Sequence, residues 1–351
     1  MTTSSPVRVA ILGATGYGGV ELLRFLAIHP AARIVAVSSE TSAGEPLAKS
    51  YPHLAGLDLT LLPATEARFA GDPQVTFCAL PNGQAMRLAP ELLERGIAVI
   101  DLSADFRLKD AATYQRYYEK EHASPELLAQ AAYGIPELYR DEISASRLIA
   151  NPGCYPTSAL LALVPLLRAG VIEPKGLVVD SKSGVSGAGR RALETPYLYA
   201  EANEDVSAYK VGTHRHAPEI EQQLSGACAG EAAITFTPHL IPMTRGIFTT
   251  AYAGLTCEVK TADVLEIYHQ TYAGSPFVKV LDEKTLPHTK WCYGSNRAFV
   301  TARVDARTGR VVTLSAIDNL GKGMAGQAVQ NMNLLFGLPE TCGLEMPAIY
   351  P

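Results

Sequence analysis

The chain has 351 residues, 47% hydrophobic and 19% charged, the balance of a packed globular enzyme of two domains and not of a disordered or fibrous chain. Thirty basic residues face thirty-five acidic ones for a net charge of −5, with no lysine- or arginine-rich run, so no nucleic-acid partner is expected. The longest strongly apolar run, Leu160–Leu167, is too short to span a bilayer, and the first residues lack the basic and apolar regions of a secretory leader. Cys78, Cys154, Cys228, Cys257, Cys292 and Cys342 are scattered without a C-x-x-C pair. That spacing argues for a reducing cytoplasm and against a zinc site or a disulfide framework.

The chain opens on an apolar strand, Val7–Leu12. The glycine turn Gly13-Ala-Thr15-Gly16-Tyr17-Gly18-Gly19 follows, and then a helical run from Val20 to Leu26. Glycines at 13, 16 and 19 let the backbone turn sharply and approach a pyrophosphate, and the helix N-terminus offers amides and positive potential. The strand Arg33–Ser38 ends in Ser38 and Ser39 where an NAD site usually carries an acid. Two hydroxyls favour NADP; the neighbouring Glu40 either points away or restores NAD use. Val75–Leu80 is a buried strand leading through Pro81 into a helix, with Cys78 a core residue. Ile97–Leu102 is the next strand, and it delivers Ser103 and Arg107 to the ligand edge of an open sheet. Arg107 is either an anion clamp or a partner of Asp105 or Asp110. Tyr114–His122 reads as a solvated helix or lid, Tyr133–Glu137 as a turn, and Arg147–Ala150 as a short strand.

That strand leads to Asn151-Pro-Gly-Cys-Tyr-Pro-Thr157 and a buried helix from Thr157 to Arg168. Cys154 is therefore expected at or just before a helix N-terminus, which favours its thiolate. In the second half the strand Gly176–Ser183 runs into a glycine–serine loop containing Gly184, Ser186 and Gly187, which either receives a ligand or merely connects. His214-Arg215-His216 precedes a helix opened by Pro218, and a histidine partnered with a cysteine reads as an acid/base for a thiolate. The strands Ala233–His239, Arg245–Ala253, Arg297–Val304 and Val311–Ile317, with a helix from Ala262 to Tyr272, indicate an α+β layer with a mostly antiparallel sheet. The sheet has an exposed face suited to a dimer interface. Asn319 opens a last glycine loop and helix, either as a helix-entry turn or offering a donor and an acceptor to a carboxamide ligand.

Six motifs, taken in order, resemble the N-acetyl-γ-glutamyl-phosphate reductases, relatives of aspartate-semialdehyde dehydrogenase and glyceraldehyde-3-phosphate dehydrogenase. They are Gly13–Leu22, Asp101–Arg107, Asn151–Thr157, Ser183–Gly189, His214–Ile220 and Asp318–Gln327. The resemblance implies a Rossmann nucleotide-binding domain over residues 1–153, joined by the C-terminal helix within 319–351. It also implies a catalytic and dimerisation α+β domain over 154–318. It implies that Cys154 attacks an acyl phosphate, that phosphate leaves, and that NADPH reduces the resulting thioester to a semialdehyde, in arginine biosynthesis. His214 is expected as acid/base with His216 as its close rival. Ser103, Arg107, Tyr209, Arg215 and Glu219 are expected on the small-molecule substrate, with Glu219 orienting an imidazole or binding the substrate amide. The expected cofactor set is Gly13, Thr15, Gly16, Tyr17, Gly18, Gly19, Ser38, Ser39, Pro81, Ser183, Gly184, Ser186, Gly187 and Asn319, with no metal. The expected assembly is a homodimer or homotetramer. The rival readings are a reductase of aspartyl or amino-adipyl phosphate, a non-catalytic NADP sensor, and a cysteine hydrolase.

Overall fold

The computed structural model describes residues 5–190, 192 and 194–350. The chain divides into two compact units: Met1–Pro152 with Met324–Met346, and Gly153–Gly323 with Pro347–Pro351.

The first unit is built on seven parallel strands, β1 (Val7–Leu12), β2 (Ala32–Ser38), β3 (Leu61–Leu62), β4 (Val75–Cys78), β5 (Ala98–Asp101), β6 (Ala132–Tyr133) and β7 (Leu148–Ala150). Their spatial order is β3-β2-β1-β4-β5-β7-β6, so the strand order reverses between β1 and β4, as in a Rossmann fold. β4 and β5 are buried at every residue, which is why they read as continuous apolar runs. The helix Gly326–Leu335 returns to this unit and packs on the helices Tyr17–Leu26 and Pro136–Ala145. Two of its buried amides donate into the unit: Asn331 Nδ2 to Gly134 O and Asn151 Oδ1, and Gln330 Nε2 to Glu137.

The second unit holds β8 (Leu177–Ser183), β9 (Ser207–Ala208), β10 (Ile234–Leu240), β11 (Ile247–Gly254), β12 (Val278–Val280), β13 (Ala298–Asp305) and β14 (Arg310–Ile317). Their order is β12-β13-β14-β11-β8-β10-β9. The sheet is mixed, mostly antiparallel, with β8–β10 and β12–β13 parallel. The helix Cys154–Arg168 lies on β11 and β14, buried from Tyr155 to Leu167. Pro156 fits its first turn, where an N–H has no intrahelical partner anyway.

Two sequence expectations change. Tyr114–His122 continues a helix, Ala111–Tyr118, with Gln115, Arg116, Glu119, Lys120 and Glu121 exposed, but its other face is not solvated. Tyr114, Tyr118 and His122 are buried, and Tyr114 donates its hydroxyl to Asp105 (2.8 Å) while His122 Nε2 meets Asp105 O (2.6 Å). With their polar tips paired, the rings count as core. Tyr133–Glu137 is more than a turn. Tyr133 ends β6, paired with β7, and Pro136 starts the helix Pro136–Ala145.

Candidate active site

In the first unit, Gly13 ends β1 at φ +85, a conformation that favours glycine, and a Cβ there would lie 2.3 Å from Ala79 O. A Cβ at Gly19 would lie 2.3 Å from Gly13 O. These two glycines let the turn close on itself. Gly16 caps the helix Tyr17–Leu26 without a side-chain bond, so no cap oxygen competes for the anion-attracting end where Tyr17 and Gly18 stand. Ser38 is buried and accepts the Gly13 amide on its Oγ (3.0 Å). It therefore holds the turn in place. Ser39 pairs its hydroxyl with Thr15 Oγ1 at 3.0 Å, and Glu40 turns its carboxylate to the Ala64 amide (2.9 Å). The rim at the end of β2 thus carries hydroxyls, with Glu40 engaged elsewhere. Pro81, exposed, follows β4 and accepts the Gln84 amide.

Beyond β5 lies a buried polar floor. Asp101 accepts the amide (2.8 Å) and hydroxyl (2.9 Å) of Ser103, and Asp105 accepts the amides of Gly83 (2.7 Å) and Met86 (3.1 Å). Burial, then the Asp105 charge, raises Asp101 to about 7, against the Ser103 bonds and the Arg107 charge. Arg107 donates Nε to Asn151 O and Nη2 to Leu102 O, both at 2.8 Å. It ties the end of β5 to the segment entering the cysteine turn.

In the second unit Cys154 is the first residue of its helix, partly exposed, with Gly153 as N-cap. Glu219 is buried and its Oε1 accepts the Gly153 amide at 2.8 Å. The carboxylate thus holds the turn immediately before the cysteine. One helical turn on, Ser158 donates to Thr249 (2.8 Å) and pairs with Ser315 (2.5 Å), locking the helix to the sheet through buried hydroxyls.

His214 and His216 stand with ring centroids 4.8 Å apart. The His214 ring is boxed by Tyr155, Tyr209 and Phe236 at 5.6, 5.5 and 5.3 Å. Its Nδ1 accepts the His216 amide at 3.1 Å, which puts the proton of the neutral ring on Nε2. Burial, then the charges of Arg215 and Lys210, push its pKa down to about 4. His216 caps the helix Ala217–Gly226, and its ring lies 5.9 Å from that of Tyr155. The Tyr209 hydroxyl donates to that of Tyr155 (3.0 Å), and Arg215 is exposed.

The glycine–serine loop is braced from behind. Ser183 donates to Gly184 O, and a Cβ at Gly184 would meet Thr244 O at 2.7 Å. Asn319 donates to Ser186 Oγ (2.9 Å) and accepts the Gly246 amide (2.7 Å), while Gly187 stays exposed. Asn319 therefore braces the loop, with both ends of its amide engaged. The sequence reading missed Asp318 beside it. That fully buried carboxylate binds Arg245 through Nε (2.9 Å) and Nη2 (2.9 Å), and accepts the amides of Gly294, Leu320 and Gly321. An acid directly before a glycine loop was the available signal; Arg245, 73 positions away, gave none. Among the described residues no group of three or more His, Cys, Asp or Glu is arranged to hold a metal ion.

Residues 8–146 match the family model described as the NAD binding domain of semialdehyde dehydrogenase, and residues 154–319 its dimerisation domain. The chain is 50% identical over 346 residues to N-acetyl-gamma-glutamyl-phosphate reductase of Moorella thermoacetica, covering 98% of this chain and all of that one. It is 51% identical over 351 residues to the protein of the same name from Heliobacterium modesticaldum, with 98% and 100% covered. Aspartate semialdehyde dehydrogenase II of Vibrio cholerae, solved with ASA, superposes with a TM-score of 0.75 at 19% identity, covering 95% of this chain and 99% of that one. The Candida albicans aspartate semialdehyde dehydrogenase, solved with NADP, gives 0.71 at 16% identity over 95% and 99%. The two solved structures share the fold, and the sequence identities go further: the chain belongs to the N-acetyl-gamma-glutamyl-phosphate reductase family, within the semialdehyde dehydrogenases.

Proposed function

We propose that this protein reduces N-acetyl-γ-glutamyl phosphate to N-acetylglutamate semialdehyde with NADPH, releasing phosphate, in arginine biosynthesis. The observation that carries the reading is Cys154 at the head of a 15-residue buried helix, its turn held by Glu219, in a chain half identical to reductases of that name. The positive end of the helix dipole stabilises a thiolate there. The thiolate adds to the acyl carbon, the C–O bond to phosphate breaks, and a thioester remains on Cys154. When bound, the nicotinamide supplies the hydride for its reduction. The carbon–sulfur bond then breaks, the aldehyde leaves and the thiolate returns.

We assign acid/base work to His216. Nδ1 of His214 is occupied by the His216 amide and its ring stays neutral, so it serves as an Nε2–H donor and aromatic wall. The Cys154 amide donates to the tetrahedral oxygen. Exposed Arg215 takes the phosphate; Ser103 and Arg107 remain assigned to the substrate, Arg107 while holding the Asn151 carbonyl. Tyr209, bonded to Tyr155, lines the acyl pocket. Gly13, Thr15, Gly16, Tyr17, Gly18, Gly19, Ser39 and Pro81 receive the cofactor, with Ser38 behind the turn. Ser183, Gly184, Ser186 and Gly187 form the nicotinamide-side loop, which Asn319 supports.

The glycine-turn part of cofactor binding falls to the first compact unit, and the nicotinamide-side loop, acyl chemistry and self-association to the second. One face of its sheet carries the helix Cys154–Arg168. On the strands β8, β11 and β14, Asp180, Lys182, Phe248, Tyr252 and Leu314 are only partly covered or exposed. A second copy on that face gives a homodimer, or a homotetramer if dimers pair. No helix among the described residues is long and apolar enough to cross a membrane, and we place the enzyme in the cytoplasm. A coupled assay offering aspartyl, N-acetyl-γ-glutamyl and amino-adipyl phosphates with NADPH tests the assignment. The second substrate should lead in kcat/KM; equal or greater efficiency with either other one refutes it.

A further inference from the structure

We infer that Gly323 is a positioning residue for Cys154, an inference that rests on the role proposed above for that cysteine. Gly323 closes the segment Asp318–Gly323, donating its amide to Asp318 O at 2.8 Å. A Cβ added to it would lie 2.9 Å from Cys154 Cβ, 3.3 Å from Cys154 Cα and 3.2 Å from Asp318 O. Its φ is not in the left-handed region, so glycine is required for space and not for backbone conformation. The bare Cα of Gly323 forms a wall against the cysteine's own backbone.

Neither side of this contact is free to yield. Asp318 is pinned by Arg245 and three backbone amides. Gly321 lies so close to Ser295 that a Cβ there would meet its carbonyl oxygen at 2.1 Å. On the other side, Gly153 is held by Glu219, and Ser158 fixes the helix to the sheet. A methyl group at 323 therefore displaces the start of the cysteine helix, because every nearby alternative is braced backbone. Gly323 sets the position of the thiol by what it lacks.

The test compares native protein, G323A, C154G and C154G/G323A by thermal melting, native protein, G323A and C154G by turnover, and native protein with G323A by the pH profile of iodoacetamide labelling at Cys154. G323A should lower kcat by about 10–100-fold, the scale of a nucleophile moved by a fraction of an ångström to an ångström, while KM stays within about threefold. The pH midpoint of Cys154 labelling should shift as well. Removing the Cys154 Cβ should relieve the clash, so that the melting penalty of G323A falls by about half or more in the C154G background. If G323A alone does not fold, folding of the double variant supports the inference, and failure of both overturns it. Turnover and labelling within about twofold of native also overturn it, as does an equal melting penalty in both backgrounds. An active C154G would instead refute the nucleophile assignment while leaving the melting comparison intact, so the two failures are distinguishable.

Discussion

Glu219 Oε1 accepts the amide of Gly153 at 2.8 Å, and Cys154 is the next residue. The carboxylate thus fixes, through the backbone, the residue before Cys154. Glu219→Ala leaves that amide without its acceptor, a cost of about 1–3 kcal/mol, and loosens the turn. Turnover should drop about 10²-fold with NADPH affinity unchanged. Glu219→Gln, which keeps an acceptor oxygen, should recover most of the loss. Equal defects in the two variants, measured by steady-state kinetics, would count against this role.

His214 is held neutral by its surroundings. The folded pKa of His214, about 4, lies below the unfolded 6.5, so the unfolded chain takes up the proton first as pH falls. The stability this neutral ring contributes is present above pH 6.5 and lost toward pH 4. Urea midpoints at several pH values should show that dependence shrinking in His214→Asn. In activity, His216→Asn should cost about 10²–10⁴-fold and His214→Asn less. The reverse order would return the acid/base role to His214.

The proposed preference for NADPH rests on the hydroxyl rim. Ser38 is committed to the Gly13 amide, whereas Ser39 holds only hydroxyls, Thr15 among them. Ser39→Asp places a carboxylate where a 2′-phosphate would lie and should move the NADPH-to-NADH efficiency ratio toward NADH by about tenfold or more. A ratio unmoved in coenzyme titrations would mean that the rim reads the ribose elsewhere.

Asp318 and Arg245 form a desolvated ion pair whose side chains are 0% and 14% exposed. Asp318→Asn leaves the guanidinium without its charge partner and should destabilise the second unit by about 3–5 kcal/mol. Chemical denaturation measures it. A loss under about 1 kcal/mol would show that the three backbone amides, not the ion pair, fix this loop.

What could be read from the sequence was local. The glycine turn, the strand–turn–helix around Cys154 and the strand ends all follow from periodicity and turn chemistry within a few residues. What escaped was long-range pairing. Glu219 to Gly153 and Arg245 to Asp318 join positions 66 and 73 apart. The tyrosine piece misled because Tyr114 and Tyr118 turn inward from a charged segment, and Asp105, the acceptor of the Tyr114 hydroxyl, lies nine positions back. The His214–His216 ambiguity is of another kind. Two histidines two residues apart are alike in sequence, and a backbone amide on one ring distinguishes them.

The thioester proposed on Cys154 can be caught directly. Native enzyme without NADPH, mixed with N-acetyl-γ-glutamyl phosphate and acid-quenched, should carry one acyl group per chain by intact mass, mapped by peptide digestion to Cys154. NADPH should discharge it, and Cys154→Ser should show neither the thioester nor turnover. An unmodified native chain that still turns over, or an acyl group on any other residue, would contradict the account.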